Sequence, residues 1–461
     1  MKFKLILMVL SIFLLIIIIF SANILIIRKP IFTSENWQRI WKASAEPLIT
    51  QGQDNMIYAT STFTGKAYIG DSILSAEEGI PSVFWMHLQS DGTLSDMGIF
   101  KCNGWIVATS SEFSMVNNLY VGGYFNGHLE LDPGISNIQS MAEYGAYILA
   151  MDSTGYLIWS STITGSDFAK VTSIASDDTF VYVAGMFSGS LSIDGNSGGF
   201  VASEPTAFII QYSHTGQKIW SRAVQQCSYS NDINIDTNNE HEVIAAWCSN
   251  NTSQSTQPCI RNVQIATYDS QGNIKWQNTY GDLNTTSLPL RIMCNGNESI
   301  FVGGSFTGLF NIGINNGIIN SEGSTILSSE AYANGETDIF ILKFTADGVL
   351  NNAIIFGGGN QDVIRDIEED NQGRLLITGG ISEGGEFKWD VNTLMVNNNS
   401  SDSIWSDTPF LLILNSDLTI SNAAISNMRG LGSSVFSSSN GDIYLSGCSS
   451  SEVFIVNLGR L

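Results

Sequence analysis

The amino-acid sequence predicts an all-β fold, a seven-bladed β-propeller with an N-terminal transmembrane helix. Three observations carry this. A strand signature returns seven times, a strand-turn-strand signature falls between its copies, and the seventh unit is divided between the two ends of the chain. Composition agrees: 43% of the 461 residues are hydrophobic and 14% charged, with 44 Gly and only 8 Pro, which suits a folded core and excludes a disordered or collagen-like chain.

The first signature is an aromatic or aliphatic strand followed by small residues. It reads MIYATSTFTG at 56–65, LYVGGYFNG at 119–127, VYVAGMFSG at 181–189 and IFVGGSFTG at 300–308, with weaker copies in EVIAAWCSN at 242–250, LLITGGISEG at 375–384 and IYLSGCSS at 443–450. With Tyr58, Tyr120, Tyr182, Ile244, Phe301, Leu376 and Tyr444 as register, successive separations are 62, 62, 62, 57, 75 and 68 residues. Within each copy apolar and small residues alternate, the period of a strand.

The second signature is a hairpin: AYILAMDSTGYLIW at 146–159, AFIIQYSHTGQKIW at 207–220 and VQIATYDSQGNIKW at 263–276, with looser forms at 83–94, 339–350 and 411–420. Gly92, Gly155, Gly216, Gly272 and Gly348 hold one place in its turn, where a positive φ tightens the hairpin. In the last copy VFIVNL at 453–458 supplies one strand at the carboxyl end, and NWQRIWKAS at 36–44 supplies the Trp-bearing strand from the amino end. Such a division closes a ring and leaves no open edge between first and last blades.

Residues 5–27, LILMVLSIFLLIIIIFSANILII, are apolar all round and flanked by Lys2, Lys4, Arg28 and Lys29. A helix of that length reaches roughly 35 Å at about 1.5 Å per residue, enough to cross a bilayer. A signal peptide cut after Ala22 would put Phe20 where a small residue is wanted, which favours a retained anchor. The short basic amino tail places that end inside. The expected organisation is a membrane anchor at 1–29 and a propeller at 30–461, lying at the cell surface or in the periplasm and secreted if the segment is cleaved.

Six cysteines fit an oxidising compartment. They show no CxxC metal spacing, and 15 pairings are open, Cys248 with Cys259 being the most local. The balance of 20 Lys and Arg against 43 Asp and Glu, a formal net charge of -23, excludes nucleic acid as a partner.

These motifs resemble one known family. The AFIIQY hairpin ending in Trp220, the following VYVAG type of strand, and the segments Leu129 to Asp132, Leu191 to Asp194 and Phe310 to Gly313 are similar to the bacterial seven-bladed β-propeller repeats, abbreviated SBBP. The resemblance covers most of residues 36–458 and implies the fold. It implies no particular activity, since such repeats occur in exported and surface proteins of mostly unassigned role.

If each blade runs A, B, C, D outward from the axis, A-to-B and C-to-D links are short turns on one face. The B-to-C links, expected at roughly 15 to 30 residues in most blades, share the other face with the D-to-A links. The two largest, Gly313 to Asp338 and Asp390 to Pro409, fall in consecutive blades and form the candidate contact surface for a protein or glycan partner. Its apolar candidates are Ile318, Ile319, Tyr332, Leu394, Met395 and Trp405.

Chemistry leaves a weaker trace. Asp232, Asn234, Asp236 and Asn238, and Asp366, Glu368 and Asp370, alternate oxygen donors along two strands. If those faces line the axial channel, Asp232, Asp236, Asp366, Glu368 and Asp370 could hold calcium; a solvated channel wall or Asx turns is the plainer account. The four histidines lie in four different repeat contexts. The spacing of Asp152, Gly155 and Trp159 fits neither the Asp box of sialidases nor quinoprotein repeats, and tryptophans at that place are expected to pack between blades. There is no nucleophile elbow, P-loop or dinucleotide fingerprint.

The sequence therefore points to a non-enzymatic binding or adhesion module with no cofactor. The alternatives are a glycan-active hydrolase or lyase with its site at the axial mouth, and a structural subunit of an envelope or secretion assembly.

Overall fold

The computed structural model describes residues 37–41, 47–52, 55–69, 72–130, 138–139, 144–226, 233–250, 261–280, 286–296, 298–311, 318–320, 325–326, 330–332, 336–357, 361–382, 386–389, 392–395, 408–426, 430–448 and 453–461. The apolar segment 5–27 and Cys259 lie outside them. Among the described residues no helix is long and apolar enough to cross a membrane.

Seven inner strands set the architecture: Leu48–Gln51, Trp105–Phe113, Phe168–Ser176, Asn234–Thr237, Thr286–Asn295, Val363–Glu369 and Leu431–Ser437. Each begins a four-stranded antiparallel sheet, here blades 1 to 7. Blade 3 is typical in order, with Phe168–Ser176, Phe180–Ile193, Asn196–Ser213 and Lys218–Gln226 paired from the axis outward. Each inner strand stands beside the next, and Leu48–Gln51 touches both Trp105–Phe113 and Leu431–Ser437, so the ring closes. In blade 7 the outermost strand is Trp37–Trp41, paired antiparallel with Val453–Gly459 in a register that sets Trp37 opposite Asn457 and Trp41 opposite Val453. The protein is an all-β propeller.

The small residues of the first signature have a steric cause. Inner strands of blades 2, 3, 5, 6 and 7 carry a bulge opposite them, between Ala108 and Ser110, Val171 and Ser173, Pro289 and Arg291, Ile364 and Asp366, and Gly432 and Ser434. The bulge pushes a carbonyl toward the second strand. A Cβ on Gly123 would stand 1.9 Å from the Val107 oxygen, and on Gly379 2.0 Å from the Val363 oxygen. Only glycine leaves room for that approach.

The apolar core lies between neighbouring sheets. Tyr182 and Trp220 of blade 3 pack with Ile235 and Trp247 of blade 4, while Tyr58 and Val83 of blade 1 pack with Leu119 and Tyr147 of blade 2. Gly155, Gly216, Gly272 and Gly348 have φ of 81°, 86°, 77° and 81° and lie against Trp85, Trp159, Trp220 and Trp276 of the preceding blades. Three of those indoles donate to a carbonyl of the same turn: Trp159 to His214 O at 2.9 Å, Trp220 to Ser270 O at 3.1 Å and Trp276 to Ala346 O at 3.2 Å. The tryptophans thus pack between blades, as expected.

Three links depart from expectation. In blade 3 only Asp194 and Gly195 lie between the second and third strands; both have positive φ, of 50° and 75°, so the link is a tight hairpin continuous with its strands. Its tip lies against blade 2, with Ile193 paired to Ile163. The long links of blades 5 and 6 are themselves built from short strand pairs: Leu309–Asn311 with Glu330–Tyr332, Ile318–Asn320 with Thr325–Ile326, and Glu386–Trp389 with Asn392–Met395. Ile319 also runs parallel to Ile354 of the outer strand of blade 5.

Candidate functional site

The seven inner strands enclose an axial cavity of about 780 Å³, which opens past Met115, Asp177, Asp178, Asn239 and His241 on the face of the short A-to-B turns. Its walls are tied blade to blade. Thr109 Oγ1 donates to Val171 O at 2.7 Å and Thr172 Oγ1 to Ile233 O at 2.6 Å, while Ser110 Oγ accepts from Ile174 N and Ser173 Oγ from Ile235 N. Asp236 and Asp366 continue this stitching: Cys294 N donates to Asp236 Oδ2 at 2.6 Å, and Val435 N to Asp366 Oδ2 at 2.9 Å. Asp366 takes the position of the stitching serine of blades 2 and 3, adding charge to a structural bond, while Asp236 stands two residues further along its strand than that position, which Asn234 holds in blade 4.

Of the calcium candidates, Asp236, Asp366 and Glu368 do line this cavity. Asp232 lies outside the described residues. Asp370 is held apart, because the strand ends at Glu369 and alternation ends with it. Asp370 Oδ1 accepts from Gln372 N and Arg374 N at 2.9 Å, and Oδ2 pairs with Arg374 at 2.7 Å, closing an Asx turn. Asn234 meets Arg291 Nη1 at 3.2 Å, and Asn238 caps its own turn by accepting from Glu240 N and Glu242 N.

Alternation along a strand does not single out Glu112. It lines the cavity beside Asp236 and Asp366 and accepts from Ser176 Oγ at 3.1 Å. It faces Tyr120, as Asp236 faces Ile244 and Glu368 faces Leu376. Each carboxylate stands eight residues before its register residue, so superposing the repeats finds all three, on alternate blades 2, 4 and 6. The same layer carries Ala175, Met293 and Phe436 in blades 3, 5 and 7.

Electrostatics follow from enclosure. Burial first, then the charge of Asp236, pushes Glu112 up to about 8. Burial raises Asp236 to about 6 against the lowering pull of the Cys294 and Thr237 N–H groups. Asp366 is raised by burial, opposed by Arg291, whose Nε lies 3.4 Å from its Oδ1. Glu368 opens onto the lumen yet is surrounded by protein; that enclosure, with Asp366, Asp236 and Glu112 nearby, drives it well above the usual carboxylate range. These groups titrate as a set.

At the rim, His241 Nδ1 lies 3.1 Å from Asp177 Oδ2 and 3.6 Å from Asp178 Oδ1. Their separation in sequence hides this group. Asp177 Oδ1 already accepts from Thr179 N and Phe180 N, and Tyr182 OH donates to His241 O at 2.9 Å, so the group closes the seam between blades 3 and 4.

The proposed contact residues Ile318, Ile319, Tyr332, Leu394 and Met395 fall in the paired strands of the long links, whereas Trp405 lies outside the described residues. Leu394 is opposite Phe387 and Met395 opposite Glu386.

Fold and site together define a closed propeller with an acidic axial cavity. No protein-family model and no curated protein matches the chain. Among solved structures it is similar to the WD40 propeller domain of Doa1, at 12% identity and a TM-score of 0.43 over 90% of this chain and 96% of that one. It is also similar to the Neurospora crassa Pan2 WD40 domain, at 10% and 0.44 over 92% and 97%, and to quinohemoprotein alcohol dehydrogenase from Comamonas testosteroni, at 9% and 0.39 over 94% and 78%.

Proposed function

We propose that the protein is an SBBP-type, membrane-anchored, extracytoplasmic propeller that acts as a binding or adhesion module for a protein or glycan partner. The carrying observation is the cross-blade stitching of the inner strands, which fixes the inner ring and its cavity before any partner arrives. A preformed platform favours recognition by surface complementarity without covalent chemistry. The test is capture of cell-surface proteins and glycans by the full-length chain, with and without calcium, beside a variant shortened at 313–338 and 390–409. Capture by the intact chain and its loss in the folded variant supports the reading; equal capture removes the link face from it.

One observation favours a second reading, a glycan-active hydrolase. Glu112 and Asp236 are buried acids whose proton affinities differ, a pattern found in acid-base pairs. Against it, both oxygens of Asp236 accept backbone N–H groups, from Thr237 and Cys294. Turnover of a captured glycan, abolished in Glu112→Gln, would establish the hydrolase.

A further inference from the structure

We propose that the propeller stands over the bilayer with the face of its A-to-B and C-to-D turns inward and its link face outward. This rests on the membrane-anchored reading and names the surface that a partner meets.

Strand direction gives the polarity. In blade 7 the second strand leaves the Ser438 to Asp442 turn at Ile443, which pairs with Gly459, and reaches the link side at Cys448, which pairs with Val453. Trp37 lies opposite Asn457 and Trp41 opposite Val453. The strand that follows the apolar segment therefore enters the body at the turn face and runs toward the links. Leu461 marks the same end of the blade, since Arg374 Nη2, in the A-to-B turn of blade 6, donates to its carbonyl at 3.1 Å.

Chain length gives the distance. Residues 28–36 separate the apolar segment from Trp37, and in any conformation such a stretch spans at most about 32 Å. An inverted body would lay about 13 Å of that reach along Trp37–Trp41 before the chain cleared its own strand. The B-to-C links, with 313–338 and 390–409 the largest, would then have to fit in what remained. With the turn face inward the whole reach is free, and only short turns stand in the gap.

Charge sets how the face is held. Asp91, Asp152, Asp178, Asp269, Asp347 and Asp417 stand in its turns. Anionic lipid repels them and salt screens the repulsion, so the face looks toward the bilayer without being seated on it. The axial cavity, whose rim includes Met115, Asp178 and His241, then opens toward lipid, while the links meet whatever arrives from solution. A large protein or polymeric glycan reaches the links first, and only what fits the gap reaches the mouth.

The experiment is energy transfer from a fluorophore on the full-length chain to acceptor lipids in proteoliposomes. The fluorophore is carried by an alkyne-bearing lysine in place of Met115, 72% exposed on the turn face, or of Val201, 81% exposed in the link of blade 3. Transfer from position 115 should exceed that from position 201 by at least about twofold, because strands of roughly 25 Å separate the two faces. A Gly/Ser insert of about 30 residues after Lys29 should erase the contrast. Replacing neutral by anionic lipid should weaken transfer from position 115, and added salt should restore it. Equal transfer from the two positions, or stronger transfer from position 201, overturns the orientation while leaving the anchor reading standing. A contrast that survives the insert overturns it too, because the face would then hold lipid by its own contacts, and indifference to lipid charge overturns the stand-off. A chain that leaves the vesicles in an alkaline wash overturns the anchor reading itself, and this orientation with it.

Discussion

The seams joining blade 3 to 4 and blade 5 to 6 solve one problem with opposite residues. At the first, Trp220 fills the space over Gly272, whose φ is 77°, and its indole N–H donates to Ser270 O. At the second, the tryptophan position holds Asn352, which reaches Asp417 O at 2.6 Å, and Lys343 takes the Ser416 carbonyl at 2.8 Å. The glycine position there holds Leu418, whose φ of 68° is strained for a side-chain-bearing residue, yet which is fully buried. What the seams share is filled volume and a satisfied turn carbonyl, while the residue supplying each is exchanged across the interface.

The largest effect that would sharpen this comparison comes from emptying a seam. Trp220→Ala should lower stability by about 3–5 kcal/mol in denaturant unfolding, because the indole is 8% exposed and packed in the core between blades 3 and 4. Next, Leu418→Gly sets loss of a buried leucine, about 3–5 kcal/mol, against about 1 kcal/mol of relieved backbone strain. It should therefore destabilise; a gain would show that strain rather than packing governs the seam. Gly348→Ala should cost about 2–3 kcal/mol, since its Cβ would lie 2.6 Å from the Trp276 ring at a φ of 81°. Gly373→Ala, with φ 74° but its nearest neighbour at 3.5 Å, should lose only about 1 kcal/mol. Smaller still is the coupling in a double-mutant cycle: Asn352→Trp combined with Leu418→Gly should be about 0.5 kcal/mol more stable than the sum of the singles, as a rebuilt tryptophan-glycine seam requires.

The axis responds to pH as neither seam does. Glu112 and Asp236 hold protons more tightly folded than unfolded, so the native chain binds more protons between about pH 4.5 and 8. Stability should fall as pH rises through that window, a slope measured by Tm and flattened in Glu112→Gln. Below about pH 4 the sign reverses, because Asp152, Asp269 and Asp417 are held down by the turn N–H and side-chain bonds they accept, and that support is lost on protonation.

The propeller is legible in the sequence because each blade repeats a local conflict that only certain residues resolve. Gly123 and Gly379 must be small beneath a bulged carbonyl, and Gly216 and Gly272 must turn with positive φ, so the same letters recur. The odd seam is hidden because its solution puts Leu418 where a turn letter is expected and Asn352 where a packing letter is expected. Asp236, Asp366 and Glu368 are visible through alternation, whereas Glu112 stands among serines and becomes conspicuous only in repeat register. Asp370 misleads for the converse reason: alternation continues in the letters after the strand has stopped.

Closure of blade 7 by Trp37–Trp41 also sets a mechanical path. Tension applied at the amino end enters the body through this strand and its five pairs with Val453–Gly459. Pulled along the strand, the pairs share the load and yield together; pulled across it, they open in succession, beginning with Trp37 and Asn457. The direction of a tug, more than its strength, would decide whether the ring holds or opens.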